Sequence, residues 1–241
     1  MAANDQVING WSPVPVNPSQ IFGGKPYINK PGPLLVEDLD FPSENSVVSS
    51  VQKYAQQHLP GPTYNHSMRV CYYASAIVQQ QFPDQSPFSS VTLALTCLLH
   101  DLGTTQENMS ATRMSFEFYG AFKSLSLLRQ LGASTDQAEA VAEAIIRHQD
   151  LGVVGKITLL GQIIQLATIY DNVGAHPTVE NFGELLHYRT RADVNRAFPR
   201  EGWLSCFAAT IREEEKRKPW CHSTHIEDFA GQISRNSLDY E

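Results

Sequence analysis

The chain has 241 residues, of which 42% are hydrophobic and 10% aromatic, enough to bury one full hydrophobic core. Acidic residues outnumber basic ones by 25 to 18 and no basic run occurs, which excludes the charge pattern typical of nucleic-acid or membrane-surface binding. No apolar stretch approaches the roughly 20 residues of a membrane span, and the N-terminus lacks the features of a signal peptide. We therefore expect a cytoplasmic protein with neither nucleic-acid nor membrane partners.

The first 43 residues are rich in proline, glycine and asparagine, a composition typical of extended segments rather than packed helices. We predict that residues 1–43 form an N-terminal arm that docks on the body of the protein, and that residues 44–241 form a single helical domain. An arm of this kind can also embrace a neighbouring copy, so a homo-oligomer is compatible with the sequence.

Apolar residues recur at helical spacing after Ser43, and prolines and glycines separate the runs. The third run starts at Ser86-Pro87 and ends at His100-Asp101, whereas the sixth is apolar on almost every side, which predicts a central position. Strand-type alternation is nearly absent, so the predicted fold class is all-α. The predicted helices cover about 44–58, 64–78, 86–101, 111–131, 134–148, 157–173 and 203–217.

Four side chains of the types that bind metals lie on or at the ends of these helices: His66, His100, Asp101 and Asp171. Asp171 is the most informative, because a carboxylate in so apolar a helix is unfavourable unless a cation pairs with it. No lysine or arginine lies within one turn of it, which favours a metal. Two imidazoles and two carboxylates suit Zn²⁺, Fe²⁺ or Mn²⁺ better than Ca²⁺. From the residues alone, the His100-Asp101 pair has a second interpretation, in which a histidine ends the helix and its aspartate neighbour is solvated.

The order His, His-Asp and Asp on successive helices resembles the HD-domain superfamily of metal-dependent hydrolases. More narrowly, the chain is similar to the fungal cyanamide hydratases. This resemblance implies a compact HD-domain helical bundle with the Pro/Gly-rich arm attached, one bound zinc, and hydration of the small nitrile cyanamide to urea by a lyase. The stretches that carry it are TYNHSMRV (63–70), ALTCLLHDLGTT (94–105), TRMSFEFYG (112–120), STDQAEAVAEAIIRHQDLG (134–152), LATIYDNVGAH (167–176) and KPWCHSTH (218–225).

The resemblance implies that the metal ligands are His66, His100, Asp101 and Asp171. His148, in the stretch IIRHQD, is then expected near the metal, where it or Asp101 would transfer the proton that the nitrile nitrogen must receive. A different interpretation of His148 is a charged imidazole at a helix C-terminus, which the helix dipole favours.

Three further side chains are expected at the substrate. Thr168 lies three residues before Asp171 and shares its helix face, so its hydroxyl is placed to orient the substrate amine, unless it only bonds back to its own helix. Phe116 and Tyr119 are expected to wall the pocket, although aromatic residues at helical spacing often belong to the ordinary core. Arg69 is expected to pair with a ligand carboxylate.

Other functions remain compatible with this ligand set. An HD-type nucleotide phosphohydrolase would need cationic side chains for phosphate, and few occur near these motifs: Arg69, Arg113, Lys123 and Arg147. An isonitrile hydratase would use the same water-activating site on a related substrate. A non-catalytic ligand-binding HD module would have no need to keep all four ligand types.

Overall fold

The computed structural model describes residues 7–85, 87–152 and 154–239. Within them, eleven α-helices and one small antiparallel sheet confirm the predicted all-α class. The two strands are β1 (Pro13–Pro15) and β2 (Lys156–Thr158). The helices are α1 (Pro18–Phe22), α2 (Ser46–His58), α3 (Gly61–Gln81), α4 (Ser90–Leu99), α5 (Gln106–Ala111), α6 (Phe116–Gln130), α7 (Thr135–Arg147), α8 (Leu159–Asn172), α9 (Tyr188–Ala197), α10 (Trp203–Arg217) and α11 (Phe229–Ser234).

Side-chain caps fix where several of these helices begin. A serine, threonine or asparagine immediately before the helix accepts hydrogen bonds from backbone N–H groups of the first turn, which otherwise have no partner. The capping residues are Asn45 for α2, Ser89 for α4, Ser134 for α7 and Thr158 for α8.

Helix α8 is the centre of the fold. Every one of its residues is buried, and it contacts α3, α4 and α7. This confirms the prediction, from its apolar character on almost every side, that the sixth helical run is central. Because α3, α4, α7 and α8 pack together, side chains far apart in the sequence meet between them.

The N-terminal segment contacts the helical body at two places. Strand β1 pairs with β2, the strand that leads into α8, and Val16 after it is buried. Further along, the backbone N–H groups of Leu34 and Val36 donate to the side chains of Thr190 and Asp193 on α9, at 2.9 and 2.8 Å. The segment also contains the short helix α1, where the composition indicated only extended chain. Residues 1–6 of the predicted arm lie outside the described residues.

Three predicted helix starts differ from those in the structure. The sixth helix was expected to begin at Ile157, but that residue pairs with β1, and α8 begins after the Thr158 cap. The fourth helix was expected from about residue 111, but Thr112 has an extended backbone, so α5 ends there and α6 starts at Phe116.

The third helix begins at Ser90, after the Ser89 cap, rather than at the predicted Ser86-Pro87. Ser86 itself, and residues 240 and 241 of the predicted helical domain, lie outside the described residues. No described helix combines the length and the apolar character needed to cross a membrane.

Candidate metal centre

Three of the predicted ligands meet in the interior of the bundle. His66 lies in the second turn of α3 and is fully buried, while His100 and Asp101 follow the last residue of α4 and are each 1% exposed. The Nε2 atoms of the two histidines are 3.1 Å apart, and Asp101 Oδ2 lies 3.6 Å from Nε2 of His66 and 3.5 Å from Nε2 of His100. The helix ends at Leu99, which lets two adjacent side chains face the same point.

Hydrogen bonds on the far side of each ring settle which nitrogen faces the centre. Nδ1 of His100 lies 2.8 Å from the carbonyl oxygen of Cys97, and Nδ1 of His66 lies 2.6 Å from Asp171 Oδ2. Both acceptors require a proton on Nδ1, so in the neutral ring the lone pair is on Nε2. Two nitrogen lone pairs therefore face each other at 3.1 Å, an arrangement that a cation stabilises.

Burial controls the protonation state of these imidazoles. Desolvation is the main cause that lowers the pKa of His66, His100 and His148 to about 4, so all three rings are neutral near pH 7. The neutral imidazole is the form that binds a metal ion.

The carboxylate of Asp101 is the clearest sign of a missing positive partner. Both of its oxygens are buried, and neither has a hydrogen-bond partner among the described residues. Burial, as the largest cause, raises the pKa of this carboxyl group above its ordinary value. Buried polar groups without hydrogen bonds are uncommon and costly, so this carboxylate beside two lone-pair nitrogens fits a divalent cation.

Asp171 occupies a different position from the one that its sequence context indicated. Its carboxylate accepts hydrogen bonds from His66 Nδ1, from Arg69 Nε and Nη2 at 3.0 and 2.9 Å, and from Arg200 Nη1 at 2.6 Å. The absence of a basic residue within one turn, which favoured a metal as the partner of this charge, was therefore misleading, because two arginines from α3 and the loop before α10 balance it. The predicted pairing of Arg69 with a carboxylate is confirmed.

These partners also explain the charge state of Asp171. Burial raises its pKa, but the nearby guanidinium groups of Arg200 and Arg69 outweigh that effect and hold the pKa well below its usual range. Asp171 lies on the Nδ1 side of His66, and it thereby fixes the orientation and tautomer of a ring whose Nε2 faces His100.

His148 follows the last residue of α7 and lies beside the two-histidine pair. It is 1% exposed, its Nδ1 is 2.7 Å from the carbonyl oxygen of Ile145, and its ring meets that of His100 edge-on at 5.3 Å. The ring of Phe116 packs against it at 5.8 Å. The second interpretation, a charged imidazole at a helix terminus, was wrong, because the ring is buried and neutral.

The other expected substrate residues differ in their surroundings. Thr168 is buried, and its hydroxyl donates to the carbonyl oxygen of Gln165 in its own helix at 3.1 Å, so only its lone pairs remain for another group. Tyr119 is half-buried with Lys123 Nζ 5.7 Å from its ring centroid, and no described contact joins it to His66, His100 or Asp101.

An aromatic wall that the sequence analysis missed lies on the other side of the centre. The ring of Trp203 stacks on His66 with a centroid distance of 4.2 Å, and Phe207, one turn later on α10, stacks on Trp203 at 4.9 Å. Trp203 Nε1 also donates to Asn172 Oδ1, next to Asp171. Only the helical spacing of these two aromatic residues could have indicated a shared face.

Comparison with known families agrees with this geometry. The model of the family described as HD domain matches residues 63–173, the segment that contains His66, the His100-Asp101 pair and Asp171. Two cyanamide hydratases of Saccharomyces cerevisiae, DDI2 and DDI3, are each 42% identical to the chain over 225 residues. The alignment covers 92% of this chain and 96% of each yeast protein. The chain belongs to the HD-domain family.

The HD-domain match ends before two of the residues that complete the metal centre. Arg200 and Trp203, which hold Asp171 and cover His66, both come from the region after residue 173. In this protein the HD-domain centre is therefore closed by side chains from outside the matched segment.

A second group of metal-binding residue types lies near the surface: Asp150, His222 and His225. The two imidazole rings stack face to face at 4.3 Å with 22° between their planes, so their nitrogen lone pairs do not converge on one point. Asp150 Oδ2 also receives two hydrogen bonds from Arg147. We regard this group as a polar surface cluster rather than as a second HD-type centre.

Proposed function

We propose that this protein is a metal-dependent cyanamide hydratase, a hydro-lyase of the fungal type that adds water to the nitrile carbon of cyanamide and forms urea. The observation that carries the proposal is the buried, unpaired Asp101 carboxylate beside two neutral imidazoles. The near full-length similarity to proteins named cyanamide hydratase supports the choice of substrate.

The proposed ligands are Nε2 of His66, Nε2 of His100 and a carboxylate oxygen of Asp101, with Asp171 as a fourth ligand or, as its hydrogen bonds favour, as the group that holds His66. This mixed nitrogen and oxygen set suits Zn²⁺, our first choice, and it also accepts Fe²⁺ or Mn²⁺. A divalent cation held by these residues would lower the pKa of water at the site toward neutrality.

The chain itself supplies the proton transfer. His148 is neutral with its proton on Nδ1, so its Nε2 lone pair accepts the proton that the attacking water loses. The same nitrogen then gives the proton to the nitrile nitrogen, and the resulting isourea tautomerises to urea. The second oxygen of Asp101 can carry out the same transfer, and both residues are proposed as catalytic.

Substrate orientation is assigned to Thr168, with Phe116 and Tyr119 as walls. Because the Thr168 hydroxyl donates its hydrogen to Gln165, its lone pairs are what it offers to an amine N–H of the substrate. Phe116, which packs on His148, excludes bulk water on that side. The proposed partner is thus a small nitrile in the cytoplasm, and a homo-oligomer stays a prediction.

We expect that Thr168→Val keeps the bound metal and lowers kcat/KM for cyanamide by roughly tenfold, because one hydrogen bond to the substrate is lost. The matched control is Thr96→Val, since Thr96 is equally buried and bonds back to Thr92 in its own helix at 2.8 Å. Steady-state kinetics of both variants, with metal content measured alongside, test this. Equal losses in the two variants would show that Thr168 has only a structural role.

The assay that separates the candidate functions offers the purified protein cyanamide, a panel of nucleoside phosphates and an isonitrile in parallel. We expect turnover of cyanamide with formation of urea. The phosphohydrolase alternative is disfavoured because the guanidinium groups of Arg69 and Arg147 are already paired with Asp171 and Asp150. Phosphate release without urea would overturn the proposed function, and preferred turnover of the isonitrile would reassign the substrate.

A further inference from the structure

Glu117 is a buried carboxylate to which no role has been given so far. It is the second residue of α6 and is 0% exposed, yet neither of its oxygens has a hydrogen-bond partner among the described residues. Oε1 forms an ion-pair contact with Nδ1 of His222, and the nearby carboxylate raises the pKa of that imidazole. At 3.6 Å this contact is longer than a hydrogen bond, so it leaves the acceptor positions of the carboxylate open. A carboxylate in this state is costly unless a polar group absent from the protein chain fills its acceptor positions.

The position of Glu117 relates it to the metal centre. The side chain of the residue before it, Phe116, packs directly on the ring of His148. Among the described residues, six buried side-chain nitrogen and oxygen atoms without a hydrogen-bond partner belong to Asp101, Glu117, Gln149 and His222. Unpaired polar atoms are therefore concentrated around His148, where a small polar ligand would find both donors and acceptors.

The electrostatic effects of Glu117 on Asp101 and His148 agree with this position. Burial is the main cause of the raised pKa of Asp101, and Glu117 adds to it. Burial and His100 lower the pKa of His148, against the opposing effect of Asp101 and Glu117. The geometric link of Glu117 to this region remains the packing of Phe116, the residue before it, on His148.

A second buried glutamate in the same region provides the contrast. Glu214 on α10 accepts hydrogen bonds from the backbone N–H of Phe116 at 2.7 Å and from the hydroxyl of Ser223 at 3.2 Å. Its carboxylate is therefore satisfied by the protein and joins α10 to the start of α6. Glu117 and Glu214 share burial and residue type, and they differ in whether the chain provides their partners.

We propose that Glu117 binds the amino group of the substrate, with its carboxylate accepting one N–H group of cyanamide and leaving the other to the Thr168 hydroxyl. Cyanamide has two N–H donors at one end and the reactive nitrile at the other, so a carboxylate that holds the amino end directs the nitrile toward Asp101 and His148. The charge on the carboxylate strengthens the hydrogen bond that it accepts. This inference rests on the proposed function and adds to it a residue that selects nitriles bearing an N–H group.

The test compares cyanamide with acetonitrile, which has the same shape and carries a methyl group in place of the amino group. In the metal-loaded full-length protein, KM for cyanamide and the inhibition constant of acetonitrile are measured for the wild type and for Glu117→Gln, Glu117→Leu and Glu214→Gln. We expect KM for cyanamide to rise several-fold in Glu117→Gln, which keeps one neutral acceptor, and at least tenfold in Glu117→Leu. The inhibition constant of acetonitrile should stay within about twofold in both variants.

Glu214→Gln is the control for structural disturbance, and we expect it to change both constants in parallel. An unchanged KM in both Glu117 variants, or equal changes for cyanamide and acetonitrile, would overturn the inference and leave water as the partner of this carboxylate. If the wild type forms urea while the Glu117 variants give either of these results, the proposed function stands and only the role of Glu117 is overturned. Absence of urea from the wild type would overturn both.

Discussion

Asp101→Asn is expected to lose bound metal and activity together. The substitution keeps the size of the side chain but removes the negative charge that two neutral imidazoles cannot provide. We expect the metal content to fall to less than a tenth of the wild-type value and kcat/KM for cyanamide to fall by about 100-fold or more. Elemental analysis of the purified variant and a urea assay measure the two quantities.

Stability serves as the control for this variant. Burial raises the pKa of Asp101 in the folded protein above its value in the unfolded chain. In metal-free protein this group therefore stabilises the fold at low pH, where it is protonated. That stabilisation is lost as the pH rises through the raised pKa. At neutral pH the metal-free variant should therefore be at least as stable as metal-free wild type. A variant that keeps its metal, or one that fails to fold, would contradict this assignment of Asp101.

Arg69→Met is expected to have the largest effect on stability. Arg69 is 0% exposed and donates to Asp171 through Nε and Nη2, and to the carbonyl oxygens of Phe198 and Pro199 through Nη1. Breaking a buried ion pair by removal of one partner costs about 3–5 kcal/mol, and the retained Arg200 should keep the loss near the lower end. Unfolding in guanidinium chloride measures it, since urea is the expected product of the enzyme.

The matched control for this variant is Arg147→Met. Arg147 also pairs with an aspartate, Asp150, but its side chain is 29% exposed, so we expect a loss below about 1 kcal/mol. Similar losses in the two variants would contradict the role given to the buried network that holds Asp171.

Much of the fold could be predicted from local pattern. Helix α10 has the bounds that the apolar spacing and the following Pro219 indicated, and α7 begins after the Ser134 cap. The errors came from residues whose structure depends on distant partners. Ile157 forms a strand only because Val14, far away in the sequence, pairs with it.

In the candidate site, too, features set by local sequence were predicted and features set by distant partners were missed. The His100-Asp101 pair at a helix end was visible in the sequence, because adjacent ligands need the helix to finish there. Of the partners of Asp171, Arg69 was expected to pair with a ligand carboxylate, but Arg200, 29 residues away, was not expected there. Charge balance within one helical turn is therefore a poor guide for a carboxylate that many helices surround.

Glu117 shows a further limit of sequence reasoning. At the first turn of a helix an acidic residue is normally a solvated group that complements the helix dipole. Only the packing of α6 against the region around His148, His222 and Glu214 reveals that this side chain is buried and has no hydrogen-bond partner among the described residues. Its position in the sequence alone gave no reason to connect it with the metal ligands.

The most direct test of the central claim is to titrate metal back into chelator-treated protein while urea formation from cyanamide is measured. The account predicts that activity is lost on metal removal, and that it returns in proportion to bound Zn²⁺, reaching its maximum at about one ion per chain. Full urea formation by the metal-free protein, or none by the metal-loaded protein, would contradict it.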